Sequence, residues 1–286
     1  MTNDSRAPTV PSITESVTIL RRLLDIWRNS ELESSTVPIL ENRVERGMFV
    51  LGQADHAAGM TDAILVLVEQ EMFVQTAPLV RLTLECAVTG VWFAVTPGSG
   101  TAGTKEAARA RAVLDIAMED LADPAGRVTR ENVRNAEKAR KTMKARSSGQ
   151  KSSTSKVEGE ASNLEQRAIS LAGADWFYPY YRLLSEYSHA GAALLEHYGR
   201  PIDPTPANPF GLEYDPKREW EWAGIAMGVQ AVALITALKA WDDLAPDHPM
   251  RDRLDSIAED MGTALVLNRK VDRNERDPHE RQVPID

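Results

Sequence analysis

Residues 78–95 read PLVRLTLECAVTGVWFAV, and the only charges in that stretch are Arg81 and Glu85. Pro78 fits the first turn of a helix, where its missing N–H removes no hydrogen bond. The rest is apolar on every side, the pattern of a central helix enclosed by others. A charged pair inside such a helix is costly unless it is paired and hydrogen-bonded. Arg-before-Glu is the weaker local orientation. Arg81 and Glu85 are therefore expected to reach polar partners on a neighbouring helix.

Helical spacing continues on both sides of this stretch. Val17, Leu20, Leu23, Leu24 and Trp27 place an amphipathic helix at Glu15 to Asn29. A longer one runs from Ile39 to Glu71, with a bend or break expected near Gly59 and Thr61, where glycine's helix cost and a cap coincide. Thr96 to Thr104 is glycine-rich but lacks the Gly-Lys-Ser/Thr ending of a phosphate loop, and reads as a connector. Helices are expected at Lys105 to Leu121, Thr129 to Ala145, Leu164 to Leu171, Pro179 to Tyr198, Lys217 to Leu244 and Met250 to Leu267. No segment alternates like a half-buried strand. The expected fold is an all-α multi-helix bundle with a long polar loop between two helical portions. Its parts are a flexible N-terminus (1–14), a helical portion ending in a basic helix (15–146), a disordered linker (147–162), a second portion completing the same bundle (163–267) and a charged disordered tail (268–286).

Composition narrows the function classes. The chain has 286 residues, a net charge of −9 and one cysteine, Cys86, so no intrachain disulfide forms. A chain of this length buries about three quarters of its unfolded surface without metals or cross-links. The start, Met1-Thr-Asn-Asp-Ser-Arg-Ala-Pro, does not resemble a secretory signal. The longest uncharged apolar run, Ala223 to Leu238, is short of the roughly 20 residues that span a membrane. A cytoplasmic protein without a membrane span is expected. Arg127 to Lys156 holds ten basic and two acidic residues, net +8, which leaves −17 on the remainder. Arg134, Lys138, Lys141 and Lys144 in that segment are candidate contacts to RNA or to an acidic protein partner.

The chemically suggestive segment is Pro179 to Tyr198. On one continuous helix Arg182 and His189 would share a face about 10 Å apart along the axis, with Ser185 and Glu186 between them. Arg182 would pair with Glu186, and Glu186 would reach His189. Arginine, six residues, then histidine on a helix of an all-helical bundle resembles the HEPN superfamily, many of whose members are toxin or antiviral ribonucleases. The strings Ala63 to Glu69, Ala77 to Glu85 and Tyr181 to His189 also look like a family of bacterial all-helical proteins of unsettled function. That family shares an Arg-x-x-x-Glu in a buried helix and a late Ser-x-x-x-His.

The HEPN resemblance implies a metal-independent endoribonuclease in a toxin–antitoxin or phage-defence setting, with Arg182, Ser185, Glu186 and His189 catalytic and Arg81 and Glu85 supporting. His189 would move the proton of a ribose 2′-hydroxyl or of the leaving oxygen, and the arginines would stabilise phosphate charge. Arg81, Glu85, Arg182, Ser185 and His189 are expected to converge at one site. Glu186-Tyr-Ser-His189 is the only Glu-x-x-His, so no di-metal centre is expected, nor any cofactor. Ser185 lacks the strand-turn-helix elbow of a nucleophile. A homo-oligomer is expected. The competing reading is a non-catalytic interaction or regulatory protein whose polar cluster is structural.

Overall fold

The computed structural model describes residues 12–30, 44–122, 153–189, 191–216, 218–263 and 268–270. These residues form an all-α bundle with one small two-stranded sheet. The first portion contains α1 (Ile13–Arg28), α2 (Val44–Glu69), α3 (Ala77–Val95) and α4 (Ser99–Ala122). The second contains α5 (Ser153–Ala161), α6 (Leu164–Ser170), α7 (Phe177–Ser188), α8 (Ala192–Tyr198), α9 (Ala223–Asp242) and α10 (Arg251–Asp260). Between α8 and α9, β1 (Gly199–Pro201) pairs antiparallel with β2 (Leu212–Tyr214).

Helix α3 is the hub. It packs on α2, α6, α7 and α9, and Val80, Leu84, Ala87, Val91 and Trp92 are buried among them. Helix α9 is apolar in the same way, and α1 lays Leu20, Leu23, Leu24 and Trp27 against the bundle. By length and composition Val74–Val95 and Ala223–Asp242 could each cross a membrane, but their most apolar windows are 67% and 72% buried inside the bundle. Helix α1 starts with a capping box: Glu15 N–H donates to Ser12 Oγ, and Ser12 N–H donates back to the Glu15 carboxylate.

Several segments depart from what their local pattern predicts. Helix α2 does not break at Gly59: the Thr61 hydroxyl donates to the Ala57 carbonyl at 2.8 Å instead of capping a new start. The glycine-rich connector is only Thr96 to Gly98, because α4 already begins at Ser99. The glycines that fall inside α4 serve packing. A Cβ on Gly103 would lie 2.6 Å from the Phe93 ring, and one on Gly100 would lie 2.8 Å from Glu45 Cβ. The segment expected as a linker is helical at Ser153–Ala161, and Glu160, only 4% exposed, explains why it docks. Its carboxylate accepts from Trp92 Nε1 at 2.8 Å and from Arg269 at 2.9 Å. The beginning of the tail is held too, since Asn268 and Lys270 hydrogen-bond to the backbone of Ala172 and Ser170. The basic helix at 129–145, with Arg134, Lys138, Lys141 and Lys144, lies outside the described residues.

Two stability predictions follow from these contacts. Replacing Glu160 with Ala leaves the Trp92 N–H and the Arg269 guanidinium without their acceptor, and is expected to cost about 2–4 kcal/mol in urea unfolding. Glu160→Gln still accepts from Trp92 and should cost less; equal losses would mean the carboxylate's hydrogen bonds are unimportant. Cys86 is buried, and burial first, then the Glu85 charge, pushes its thiol up to about 12. The folded state therefore holds the thiol proton when the unfolded chain has released it. Stability should fall as pH rises from about 9 toward about 12, and Cys86→Ser should flatten that part of the pH–stability curve.

Candidate functional site

Arg81 and Glu85 lie where α3 meets α7, and they are not deeply buried: their side chains are 24% and 29% exposed. Arg81 Nε donates to Glu85 Oε1 at 3.1 Å despite the weaker local orientation. The rest of the guanidinium reaches across to α7. Nη2 donates to the Tyr181 hydroxyl at 3.3 Å, the guanidinium carbon lies 5.1 Å from the Tyr181 ring centre, and Nη1 stands 3.4 Å from His189 Nε2. Tyr181 and His189 thus supply the cross-helix partners of Arg81, while the hydrogen bond of Glu85 is to Arg81 itself. The charge of Glu85 also reaches Arg167 on α6, a half-buried guanidinium whose pKa is lowered by desolvation against the opposing pull of Glu85 and Glu106.

The helix expected to run from Pro179 to Tyr198 is two helices with a corner at His189. The His189 backbone is extended, with φ −104° and ψ 148°. Ser185 and Ser188 both turn their hydroxyls back onto carbonyls one turn earlier, those of Tyr181 and Leu184, at 2.7 Å. Such back-bonding bends helices, and Gly191 adds its own helix cost just beyond. The corner throws His189 outward and opens a cavity of about 320 Å³ lined by Arg182, Ser185, Glu186, His189, Gly191, Ala192 and Ala193.

All four expected catalytic side chains therefore line one pocket, and Arg81 with Glu85 sits behind His189. Their internal arrangement differs from the single-helix expectation. Among the described residues no ion pair links Arg182 to Glu186 or Glu186 to His189, because the corner removes the regular spacing on which the second contact relied. The Ser185 proton is donated to a carbonyl rather than to His189. Among the described residues no group of three or more His, Cys, Asp or Glu could hold a metal ion.

The Arg81 contact constrains the histidine. A guanidinium carries only donors, so a hydrogen bond between Arg81 Nη1 and His189 Nε2 requires an unprotonated Nε2 and a ring proton on Nδ1. With Arg81 donating to Nε2, the ring proton sits on Nδ1 and the ring has no free lone pair. Movement of Arg81 to another acceptor exposes Nε2 as a base. Arg182 and Glu186, both exposed, supply one positive and one negative charge at the pocket mouth.

Tyr181 and Arg167 were missing from the residues singled out by sequence. Tyr181 carried a usable signal, since it sits four residues before Ser185 on the same helical face; Arg167, in a short amphipathic helix, carried none. No curated protein and no solved structure matches this chain. A family of unknown function, DUF5677, matches residues 52–204, a span that holds the hub helix and every residue of this pocket. Because that match covers more than half of the sequence, the protein belongs to the DUF5677 family.

Proposed function

We propose that this protein is a HEPN-like, metal-independent endoribonuclease that acts in the cytoplasm as a toxin or phage-defence effector. The observation that carries the reading is that Arg182 and His189 line one open pocket, with Arg81 against His189 from behind. An RNA phosphate entering it competes for Arg81. As Arg81 turns to a non-bridging oxygen it releases His189 Nε2, which takes the proton of the ribose 2′-hydroxyl. The 2′-oxygen bonds to phosphorus, the bond to the 5′-oxygen breaks, and the leaving oxygen takes a proton from solvent. Arg182 and Arg81 stabilise the charge that develops on the phosphate. Substrate binding and activation of the base are then one event.

A non-catalytic reading has an observation of its own. Arg81 is already engaged by Glu85, Tyr181 and His189, which is what a cluster that only pins α7 to α3 would show. Expression in a bacterial host separates the two. The ribonuclease reading expects growth arrest and fragmented RNA from the wild type, and a loss of roughly 10²–10⁴-fold in cleavage by purified His189→Ala. Cleavage should persist in EDTA. A wild type that leaves growth and RNA untouched, both in cells and as purified protein on RNA, favours the structural reading.

A further inference from the structure

The hairpin between α8 and α9 presents an apolar face that nothing described in the chain covers. Phe210 is 90% exposed, Tyr214 69%, Leu195 63% and Leu212 45%. Single exposed apolar residues are ordinary, but three on one hairpin, one of them a nearly naked phenylalanine, with Leu195 on the preceding helix α8, mark an interaction surface. The loop that carries Phe210 is pinned. Thr205 and Asn208 exchange backbone hydrogen bonds, the Asn208 side chain donates to the Leu212 carbonyl at 2.7 Å, and Asp215 N–H donates to the Tyr198 carbonyl at 2.7 Å. Gly211, with φ +57°, closes against the Ile202 carbonyl, where a Cβ would stand 2.5 Å away. Phe210 is thus held outward by a built turn.

The charge of this surface identifies its partner. Residues 195–222 hold six carboxylates and three basic residues. Arg200 pairs with Glu213, and Arg218 donates to the carbonyls of Glu196 and Gly199, so charges of both signs are partly used internally and the segment keeps a net charge of −3. An aromatic face in an acidic surround repels nucleic acid and attracts arginine and lysine, whose cations also bind over aromatic rings. The same sequence carries such a partner in Arg127 to Lys151, ahead of α5, with nine basic and two acidic residues, net +7. That segment departs from α4 and rejoins at α5, and these two helices pack on each other, joined by Lys105 and Glu158 at 2.6 Å, rather than on the hairpin.

We infer that the hairpin face is the docking site for the basic segment of a second copy, so that two copies exchange segments reciprocally. A two-fold exchange closes on itself and yields a dimer. This inference is independent of the ribonuclease reading.

Sedimentation and light scattering of the full chain test it. The wild type is expected to be a dimer at low salt and to weaken at least tenfold near 1 M salt, where the Debye length is about 3 Å. The double variants Phe210→Ala/Tyr214→Ala and Glu196→Lys/Asp203→Lys should each weaken the dimer at least tenfold while keeping the wild-type thermal melt. A synthetic peptide of residues 127–151 should bind wild type and not the Phe210→Ala/Tyr214→Ala variant. A wild type that is monomeric at every concentration, a dimer indifferent to both double variants, or hairpin variants that lose only single-stranded RNA binding would each overturn the inference.

Discussion

Helix α3 has almost no polar surface, so every side of it must be covered, and the bundle is arranged around that requirement. Helices α2 and α9 supply most of the cover with their own apolar faces. The exception is the edge that carries Arg81 and Glu85. An apolar helix there would strand two charges, so the element packed against it has to bring hydrogen-bonding groups. Helix α7 does so with the Tyr181 hydroxyl and with His189 at its C-terminal corner. The candidate site is thus a consequence of how the hub is enclosed, and a guanidinium donating to His189 Nε2 places the ring proton on Nδ1.

The remaining elements lock onto the hub by a few polar contacts placed where apolar packing ends. Trp92 extends its indole N–H from α3 to Glu160, which fastens α5 and Arg269 to the bundle. At the far end of α9, fully buried Asp242 accepts from Met250 N–H at 2.8 Å and Arg251 Nε at 3.1 Å, which sets the start of α10. In the core between α2 and α9, Gln230 donates to Thr61 at 2.7 Å. Each of these is a buried polar group given a partner on another element, so each fixes the relative position of two helices more narrowly than apolar contact does.

How much of this was legible in the sequence depends on the kind of signal. The hub and the need for partners at Arg81 and Glu85 were legible, because an apolar helix with two charges has few physical solutions. The all-α class was legible from periodicity. The corner at His189 was not, since Ser185 and Ser188 are compatible with a helix until their hydroxyls turn onto the carbonyls behind them. Gly100 and Gly103 read as loop residues because composition does not reveal that α4 crosses the Glu45 backbone and the Phe93 ring too closely for a Cβ. Helix α5 was hidden because its small, polar sequence resembles a linker, and its anchor, Glu160, finds its partners 68 and 109 residues away. Tyr181 was not singled out, although its hydroxyl accepts from Arg81.

The most direct test of this account is the protonation pattern of the His189 ring. A long-range ¹H–¹⁵N spectrum of the ¹⁵N-labelled protein at about pH 8, where an ordinary histidine is neutral, reports which ring nitrogen is protonated. The Arg81 contact predicts an unprotonated Nε2 with the proton on Nδ1, reverting toward the Nε2–H form in Arg81→Met. A wild-type ring already protonated on Nε2, or one unchanged by Arg81→Met, would contradict the claim that Arg81 organises the site.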